Sequence, residues 1–471
     1  MATSASEDQT YDVIVIGGGS TGTNVAWYAR DNGLSVAVVE SRLVGGECSY
    51  WACIPSKALL GPPELVAAAR RVPGAAAAVS GEVDAQAVFE RRDEWTSGLD
   101  DAAQVSWVES IGAELIRGRG RLAGERRVEV ERDDGATRTL TAVRAVVVAS
   151  GSRANIPPIE GLGSTRIWTN KEVTQASQVP GRFLVLGGGP VGCEMAQAFA
   201  RLGSQVTIIE REGRLLGPYE PEVGDTLREA FEAEGITVMT GTAATSVARN
   251  DGDDAPVTVT TEEGQELVGD ELLVSIGRRP NTDDIGLDTV GLEPGGPLEV
   301  DDRLAVAGVD GDWLFAAGDV NGRAMLTHQG KYQARVVGDV VAGKDVSAWA
   351  DHQAVPQVVF TDPQAASVGQ TEQQAADAGI DLKTVTSDPN GVAGGALHGH
   401  RYGFAKLVID QERRVIVGAS LVGPGVGELL HAATIAIVGA VPIDRLWHAT
   451  PSFPTASEVW LRLLEADRGI R

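Results

Sequence analysis

The feature that most constrains the fold is a glycine pattern that occurs twice between a strand and a helix. Residues 11–19, YDVIVIGGG, are typical of a short buried strand ending in glycines, and Gly17, Gly19 and Gly22 give the spacing GxGxxG. A helical stretch follows, and the next strand, SVAVVE, ends at Glu40. A glycine turn, a helix and an acidic strand end in this order predict a dinucleotide-binding fold.

The same pattern returns in RFLVLGGGPVGCEMAQAFARLGSQVTIIE, with each position 170 residues later. The matched positions are Gly187, Gly189, Gly192 and Glu210. In both copies the glycines let the backbone approach a pyrophosphate at the helix N-terminus, and the glutamate can accept hydrogen bonds from ribose hydroxyls. The chain is therefore predicted to bind two dinucleotides in two doubly wound domains.

Charge and hydropathy exclude several classes of partner. The chain has 471 residues and a net charge of −25, which argues against nucleic acid or an anionic membrane surface because both require a basic face. The sequence has no uninterrupted apolar run of about 18 residues, so no membrane span is predicted. Residues 1–10 are expected to be a disordered tail, and they lack the basic and apolar regions of a signal peptide. We therefore expect a cytoplasmic protein.

A close cysteine pair indicates redox chemistry. Cys48 and Cys53 lie in GGECSYWACIPSK, and no second Cys or His pair has the spacing that a zinc site usually needs. The pair precedes a predicted helix, IPSKALL, whose N-terminus favours a thiolate. A flavin both accepts hydride and exchanges two electrons with a dithiol. We therefore assign FAD to the first fold and the nicotinamide cofactor to the second.

Together these segments resemble class I pyridine nucleotide–disulfide oxidoreductases, the family of dihydrolipoyl dehydrogenase, glutathione reductase and mercuric reductase. Cys, four residues, Cys and I-P-S-K are similar to the family's redox-active segment. VVVASGS, which contains Gly151, resembles the exit from the FAD domain, and VSIGRRPN, which contains Gly277, resembles the return. WLFAAGDV resembles the second FAD motif, whose aspartate, here Asp319, meets the ribityl chain of the flavin.

The resemblance also implies catalytic roles. Cys53 is expected under the flavin as the charge-transfer thiolate, and Cys48 is expected to be the thiol that attacks substrate. Lys57 matches the lysine near the flavin N5, and Glu194 matches its glutamate partner. Such a pair would stabilise negative charge on the reduced flavin. Cys193 is expected to pack as a small apolar residue in the second helix.

One catalytic position departs from the family. The family segment His-Pro-Thr-x-x-Glu carries an acid–base histidine that serves the partner subunit, and its glutamate orients that histidine. This chain has HATPSFPTASEVW, which places Phe453 at the histidine position and retains Glu458. A phenyl ring moves no proton, and loss of a positioned base typically costs about 10²–10⁴-fold in rate.

Three interpretations of this departure stay open. His448, His398 or His400 can act as a displaced base. Glu458, left in an apolar site with a raised pKa, can act as the acid. The third possibility is an acceptor that needs little proton transfer, such as a quinone or a metal ion. Mercury is disfavoured because the tail LLEADRGIR lacks the C-terminal cysteine pair of mercuric reductase.

Aromatic residues near the cysteines bear on the acceptor. Tyr50 and Trp51 lie inside the cysteine segment, and Phe453 is expected to face the same cavity from the other subunit. An aromatic-lined mouth suits flat or apolar substrates. Packing of these rings at the dimer interface is the alternative.

The second strand end also informs nicotinamide choice. Glu210 favours NADH, because an acidic residue binds the ribose 2′-hydroxyl and repels a 2′-phosphate. Arg211 and Arg214 follow closely and keep NADP open.

The predicted fold class is α/β, with two Rossmann-like dinucleotide-binding domains and a C-terminal α+β dimerisation domain. We expect a C2 homodimer, because burial of the last region requires a partner. Hairpins are expected within residues 121–142, turning at Asp134 and Gly135, and at residues 262–267. The predicted boundaries are residues 1–154 for the first FAD segment with the disulfide, 155–270 for the NAD(P) domain, 271–349 for the second FAD segment and 350–471 for dimerisation.

The predicted function is that of an FAD-dependent NAD(P)H:disulfide oxidoreductase acting on a small disulfide or dithiol. The alternative within the same fold is a quinone or electrophile reductase. A non-enzymatic redox sensor is disfavoured, because both cofactor motifs and the cysteine pair are complete. No metal site is predicted.

Overall fold

The strands occur in the order that the repeated glycine pattern predicts. The computed structural model describes residues 9–249, 252 and 255–470. The tail expected at residues 1–10 lies outside the described residues up to position 8, and positions 9 and 10 already belong to the first strand. The strands are β1 (Gln9–Ile16), β2 (Val36–Glu40), β3 (Glu114–Arg117), β4 (Arg119–Leu122), β5 (Arg127–Glu131), β6 (Thr137–Val148), β7 (Ser152–Ala154), β8 (Arg182–Leu186), β9 (Gln205–Glu210), β10 (Thr237–Thr240), β11 (Ala244–Arg249), β12 (Val257–Thr261), β13 (Glu266–Gly269), β14 (Glu271–Val274), β15 (Arg278–Pro280), β16 (Leu314–Ala316), β17 (Gln357–Val359), β18 (Gln364–Gly369), β19 (Leu382–Ser387), β20 (Phe404–Asp410) and β21 (Val415–Gly423).

The helices include one directly after each glycine turn. They are α1 (Ser20–Asp31), α2 (Gly46–Tyr50), α3 (Cys53–Arg71), α4 (Ala85–Trp95), α5 (Ala102–Ser110), α6 (Asn170–Thr174), α7 (Pro190–Arg201), α8 (Pro221–Ala233), α9 (Thr327–Val341), α10 (Glu372–Asp377), α11 (Ala393–Ala396), α12 (Val426–Val438), α13 (Ile443–Leu446) and α14 (Glu458–Asp467). Among the described residues no helix is both long enough and apolar enough to cross a bilayer.

The described chain divides into two compact units. The first consists of the chain up to Pro55 with residues 93–153 and 278–351. The second consists of residues 56–92, residues 154–277 and the chain from His352 onward. Helix α3 begins in the first unit and continues in the second. The division into four sequence domains stays a prediction.

The first unit is built on a parallel sheet. Strand β1 pairs in parallel with β2 and β6, β2 pairs with β3, and β16 pairs with β6. The order β3-β2-β1-β6-β16 is that of a doubly wound dinucleotide fold, in which ligands bind beyond the carboxyl ends of the strands. Helices α1 and α9 pack against each other, and the side chains of Val13, Val15 and Val337 are fully buried in this core.

An antiparallel excursion extends the same sheet. Strand β4 pairs antiparallel with β5, and β5 pairs antiparallel with the first half of β6. The turn before β6 contains Asp134 and Gly135, whose φ of 78° suits glycine. The hairpin expected within residues 121–142 is therefore confirmed.

The second unit contains the second parallel sheet, in the order β10-β9-β8-β14. Strands β11, β12 and β13 form a separate antiparallel sheet, and the expected hairpin at residues 262–267 is confirmed as the β12–β13 connection. A five-stranded sheet in the order β17-β18-β21-β20-β19 carries α12 and α14. The two parallel sheets with helices and this C-terminal α+β region confirm the predicted fold class.

Candidate active site

The first glycine turn forms an open cradle at the N-terminus of α1. Gly17 has φ +107°, and a Cβ on Gly22 would lie 1.9 Å from the Gly17 carbonyl oxygen, so this packing requires glycine. At Gly19 the space is open, because a Cβ there would meet only the Gly46 Cα at 3.9 Å. No side chain caps α1 and no acidic residue lies in its first turn. The cradle therefore fits a pyrophosphate.

The glutamate at the end of β2 closes this turn. Glu40 accepts hydrogen bonds from the Gly18 backbone N–H at 2.6 Å and from the Arg42 backbone N–H at 2.6 Å. The carboxylate is therefore fixed beside the glycines by two backbone donors. A hydrogen bond from ribose to Glu40 stays a prediction. It would use the carboxylate lone pairs that the two backbone N–H groups do not occupy.

The second glycine turn repeats this geometry at the N-terminus of α7. Gly187 has φ +110°, and a Cβ on Gly192 would lie 2.0 Å from the Gly187 carbonyl oxygen, while the space at Gly189 is open. Glu210 accepts from the Gly188 N–H at 2.6 Å and from the Glu212 N–H at 2.7 Å. The second site therefore also fits a dinucleotide pyrophosphate.

The two arginines after β9 are already engaged. Arg211 pairs with Glu212 at 3.0 Å, and its side chain is largely exposed. Arg214 donates to the Gly217 carbonyl at 2.8 Å. Neither arginine therefore forms a preformed phosphate site with Glu210.

A polar network in the first unit surrounds the predicted ribityl-binding aspartate. The Ser152 hydroxyl donates to Asp319, and Arg278 donates to the Ser152 hydroxyl at 2.7 Å and to Glu47 at 2.5 Å. Burial raises the pKa of Asp319, against the Ser152 hydrogen bond and the Arg278 charge, which lower it. The network positions Asp319 through three residues that the sequence reasoning missed.

Two of the missed residues, Arg278 and Ser152, had a sequence signal. Arg278 directly follows the predicted Gly277 in IGRRPN, and Ser152 directly follows the predicted Gly151. Gly151 accepts a hydrogen bond from the Asn281 N–H at 2.9 Å, and Gly277 accepts one from the Asn155 N–H at 3.0 Å. Both glycines are therefore backbone supports beside polar residues, and their contact with cofactor stays a prediction.

The two cysteines lie on successive short elements of the chain. Cys48 lies in α2, and Cys53 is the first residue of α3, as predicted. The sulfur of Cys53 lies 3.3 Å from the Thr327 hydroxyl at the start of α9. The pKa of Cys48 is raised above its ordinary value, because the interaction with the Cys53 thiol and burial outweigh the Thr327 hydroxyl and the Lys331 charge, which lower it.

In the second unit, Lys57 and Glu194 form the predicted ion pair. The Lys57 ammonium donates to the two carboxylate oxygens of Glu194 at 3.1 and 2.8 Å. The Phe360 backbone N–H donates to the same carboxylate at 3.0 Å, and the Phe360 ring lies 4.5 Å from the ammonium. Glu194 is buried and Lys57 is partly exposed, so the cation is held but remains accessible.

The third cysteine has the packing role that was predicted. Cys193 is fully buried in the core of the second unit, and its thiol donates to the Gly188 carbonyl at 3.3 Å. Burial raises the pKa of this thiol. Cys193 therefore supports the second glycine turn as a neutral group.

The position of the lost histidine is solvent-facing in the single chain. The Phe453 side chain is 77% exposed, in the loop before α14. Glu458 is buried, its Oε1 lies 4.0 Å from Arg462, and its Oε2 has no hydrogen-bond partner within the described chain. This chain therefore retains the glutamate that orients the histidine in the family, but it has Phe453 at the histidine position.

The structure separates the three candidate displaced bases. His400 is buried and hydrogen-bonds to Asp362 at 2.6 Å, so its ring is committed to an internal ion-pair cluster. His398 and His448 are exposed. A displaced-base role for His400 would break this cluster.

The aromatic residues of the cysteine segment differ in exposure. Tyr50 is 3% exposed and packs inside the first unit, so its predicted place in a substrate mouth is wrong for this chain. Trp51 is partly exposed, and the Arg42 guanidinium lies 4.9 Å from its ring. Trp51 is therefore the aromatic residue of this segment that a substrate can reach.

Each unit contains one dinucleotide cradle, and the first unit also contains the dithiol, which is typical of a nicotinamide- and flavin-dependent redox enzyme. The family model for pyridine nucleotide-disulphide oxidoreductases matches residues 11–334, and the model for their dimerisation domain matches residues 355–463. The chain belongs to this family. It is therefore an FAD-dependent, NAD(P)-using oxidoreductase, as predicted, and its dimerisation domain supports a homodimer.

Curated relatives carry more than one activity. The chain is 34% identical to mercuric reductase of Streptomyces lividans over 93% of each chain. It is 34% identical to dihydrolipoyl dehydrogenase of Thermus scotoductus over 97% of each chain.

Solved structures agree in fold. The chain superposes on LpdA of Mycobacterium tuberculosis with a TM-score of 0.86 at 25% identity, covering 97% of this chain and 99% of that one. It superposes on the Cu(II) complex of the HOCl-induced flavoprotein disulfide reductase RclA of Escherichia coli with a TM-score of 0.85 at 23% identity, over the same shares.

Proposed function

We propose that this enzyme passes electrons from NADH through the Cys48–Cys53 pair to a small disulfide acceptor. The observation that carries this proposal is the position of Cys53 at the start of α3, 3.3 Å from the Thr327 hydroxyl, with Cys48 in the preceding short helix α2. A helix N-terminus and a hydroxyl donor both favour a thiolate at Cys53. The pair therefore has the geometry to open and reclose one disulfide.

The thiol chemistry balances as a two-electron exchange. Two electrons from NADH break the Cys48–Cys53 bond and give two thiolates. Each thiolate can take a proton from solvent. The Cys48 thiolate attacks the acceptor disulfide, forms a mixed disulfide and releases one thiolate. Cys53 then attacks Cys48, which releases the second thiolate and restores the original bond.

The cofactors enter through the two cradles. FAD, when bound, accepts hydride from the nicotinamide and delivers two electrons to the disulfide. We assign Gly17, Gly19 and Gly22 to its pyrophosphate, and Gly187, Gly189 and Gly192 to that of the nicotinamide cofactor. Because Asp319 is fixed by Ser152 and Arg278, it is oriented to accept a hydrogen bond from the ribityl chain, as the family pattern implies.

NADH is the proposed electron donor. The Glu210 carboxylate stands at the end of β9 with one negative charge, which attracts a ribose 2′-hydroxyl and repels a 2′-phosphate. Arg211 is drawn to Glu212 and Arg214 to a backbone carbonyl, so neither offsets that charge directly.

The Lys57–Glu194 pair supplies a held positive charge. Because Glu194 is fixed by both the ammonium and the Phe360 N–H, Lys57 keeps one orientation. We assign it the role that the family pattern implies, stabilising negative charge on the reduced flavin.

A quinone or electrophile acceptor is the second candidate. Two observations favour it: Phe453 replaces the acid–base histidine and is 77% exposed, and Trp51 offers a partly exposed ring beside Cys48 in the sequence. A planar, apolar acceptor suits such rings and needs no thiol exchange.

A Cys48→Ser variant tests the proposal against its rival. In an anaerobic NADH titration the wild type is expected to take up about two equivalents, one for FAD and one for the disulfide, and the variant about one. Steady-state reduction of disulfides is expected to fall by at least about 10³-fold in the variant. Ser49→Ala, on the same helix, serves as the matched control.

The rates at which Cys48→Ser reduces disulfides and quinones decide between the two candidates. Full disulfide reduction by Cys48→Ser would refute the dithiol route. A wild type that reduces quinones but no disulfide, with quinone rates unchanged in Cys48→Ser, would establish the second candidate instead.

A further inference from the structure

The dithiol of the first unit faces a helix whose first turn carries both a hydroxyl and a cation. Helix α9 is 15 residues long and begins at Thr327, whose Oγ1 lies 3.3 Å from the Cys53 sulfur. That contact places the N-terminal turn of α9, with its partial positive charge, against the cysteine pair. The same helix therefore presents its favourable end to a developing thiolate.

Lys331 lies four residues after Thr327, on the same face of α9. Side chains four apart on a helix are neighbours, and helical side chains lean toward the N-terminus. The long side chain of Lys331 thus leans toward Thr327 and the dithiol. Lys331 is exposed, and no ion pair or hydrogen bond of its ammonium occurs within the described chain.

The charged residues Glu47 of α2 and Arg30 of α1 have partners within the first unit. Glu47, its neighbour in α2, is held by Arg278 at 2.5 Å. Helix α1, which packs against both α2 and α9, has no acidic residue in its first turn. The Arg30 side chain, near the other end of α1, donates to the Leu34 and Ile111 carbonyls.

On α9 itself, His328 and Arg335 are the other basic residues within one turn of Lys331. Arg335 stacks on the Tyr332 ring at 5.5 Å. Of the charged groups, Lys331 acts on Cys48 to favour its thiolate, and the Thr327 hydroxyl acts in the same direction.

We propose that Lys331 is the electrostatic partner of Cys48, which stabilises the attacking thiolate in a chain that carries Phe453 in place of an acid–base histidine. The proposal rests on the dithiol route of the proposed function. Lys331 is a positioning residue, because it acts through the charge of the sulfur. It favours loss of the Cys48 proton to solvent and takes no proton itself.

The test measures the pH dependence of Cys48 alkylation. Purified holoenzyme is reduced with dithiothreitol, desalted anaerobically and treated with iodoacetamide from pH 5.5 to 10, and the Cys48 peptide is quantified by mass spectrometry. In Lys331→Gln the apparent pKa of Cys48 is expected to rise by about half to one unit. Below that pKa, alkylation at a fixed pH then slows by about threefold to tenfold.

Two matched variants and one salt measurement sharpen the test. Lys331→Arg keeps the charge and is expected to retain the wild-type profile. Lys344→Gln, whose lysine pairs with Asp339 just beyond the other end of α9, is expected to leave the profile unchanged. Because an exposed charge is screened by salt, 1 M NaCl is expected to raise the wild-type pKa and to leave that of Lys331→Gln unchanged.

The outcomes separate this inference from the proposed function. Identical profiles for wild type and Lys331→Gln overturn the role of Lys331, as does a shift seen in His328→Gln and not in Lys331→Gln. If reduction with NADH in place of dithiothreitol does not make Cys48 available for alkylation, the dithiol route is overturned. This holds whatever the pH profiles of the dithiothreitol-reduced enzymes show. Flavin absorbance and the unfolding midpoint of each variant establish that the fold is intact.

Discussion

The two dinucleotide folds of this chain have nearly identical glycine cradles, but the segments that follow their second strands differ. In both, a glycine turn places a carbonyl within 1.9 to 2.0 Å of where a Cβ at the last glycine would stand. In both, a glutamate at the next strand end accepts two backbone N–H groups at 2.6 to 2.7 Å. The repeat therefore fixes nucleotide binding and nothing about the chemistry that follows.

The chain after the second strand makes the difference. In the first fold, the Gly45 N–H donates to the Gly18 carbonyl at 2.8 Å, and the chain then enters the cysteine-bearing helices. In the second fold, the Leu216 N–H donates to the Gly188 carbonyl at 2.9 Å, and the chain enters α8, which buries Leu227 and Phe231. One connection therefore carries the cysteine pair, and the other carries core side chains.

The largest expected effect distinguishes the two cradles by cofactor. Gly22→Ala is expected to yield protein that does not retain FAD, because its methyl group would strike the Gly17 carbonyl. Gly192→Ala is expected to keep FAD and to raise the KM for NADH by about tenfold or more. Flavin absorbance of the purified proteins and NADH kinetics check both. Loss of FAD in Gly192→Ala alone would reverse our cofactor assignment.

The ends of the two cradle helices are anchored by carboxylates of different burial. Asp362 is buried and pairs with Arg201 of α7 at 2.8 Å and with Arg71 at 2.5 Å. Asp339 accepts from Asn32, just after α1, at 3.0 Å and pairs with Lys344 near the surface. Asp362→Asn is expected to cost about 3 kcal/mol in free energy of unfolding, and Asp339→Asn about 0.5 kcal/mol or less. Urea unfolding of both variants checks this order, which equal losses would contradict.

The Asp362 effect should depend on pH with a definite sign. Burial raises the pKa of Asp362, but His400, Arg201 and Arg71 lower it more, so the folded pKa lies below the unfolded value. The stabilisation is therefore present above about pH 4 and is lost as the pH falls through the folded pKa. The stability gap between wild type and Asp362→Asn is expected to narrow as the pH falls below about 4. A gap that widens in acid would contradict the ion-pair account.

A smaller effect is expected at the strand-end glutamates. Glu210→Ala is expected to raise the ratio of kcat/KM for NADPH to that for NADH by about tenfold, because it removes one negative charge beside the ribose. Glu40→Ala, at the matched position of the first fold, is expected to leave that ratio unchanged. An equal ratio in wild type and Glu210→Ala would show that the carboxylate only closes the glycine turn.

The smallest effect is expected at the third cysteine. Cys193→Ala is expected to lower stability by about 1 kcal/mol, since a buried thiol is replaced by a methyl group, and to leave the NADH uptake stoichiometry unchanged. Thermal unfolding and an anaerobic titration measure the two quantities. A changed stoichiometry would mean that Cys193 belongs to the redox pair after all.

Short-range sequence patterns predicted the elements of this protein well. The repeat located β1, α1 and β2 and their second copies, and the cysteine spacing located the start of α3. These features are readable because a glycine turn, a helix start and a strand end each depend on residues within a few positions of one another. Local patterns could not pair Lys57 with Glu194, because 137 residues separate them. Only the family resemblance predicted that ion pair.

The sequence by itself determined the two nucleotide cradles, the close cysteine pair and the absence of an imidazole at Phe453. Only the tertiary structure decided that Arg278 and Ser152 hold Asp319, that His400 is committed to Asp362, and that Thr327 touches Cys53. These contacts join segments that are distant in the chain, and their partners are selected by packing and by the cost of leaving buried polar groups unpaired. Such selection has no signature in local sequence.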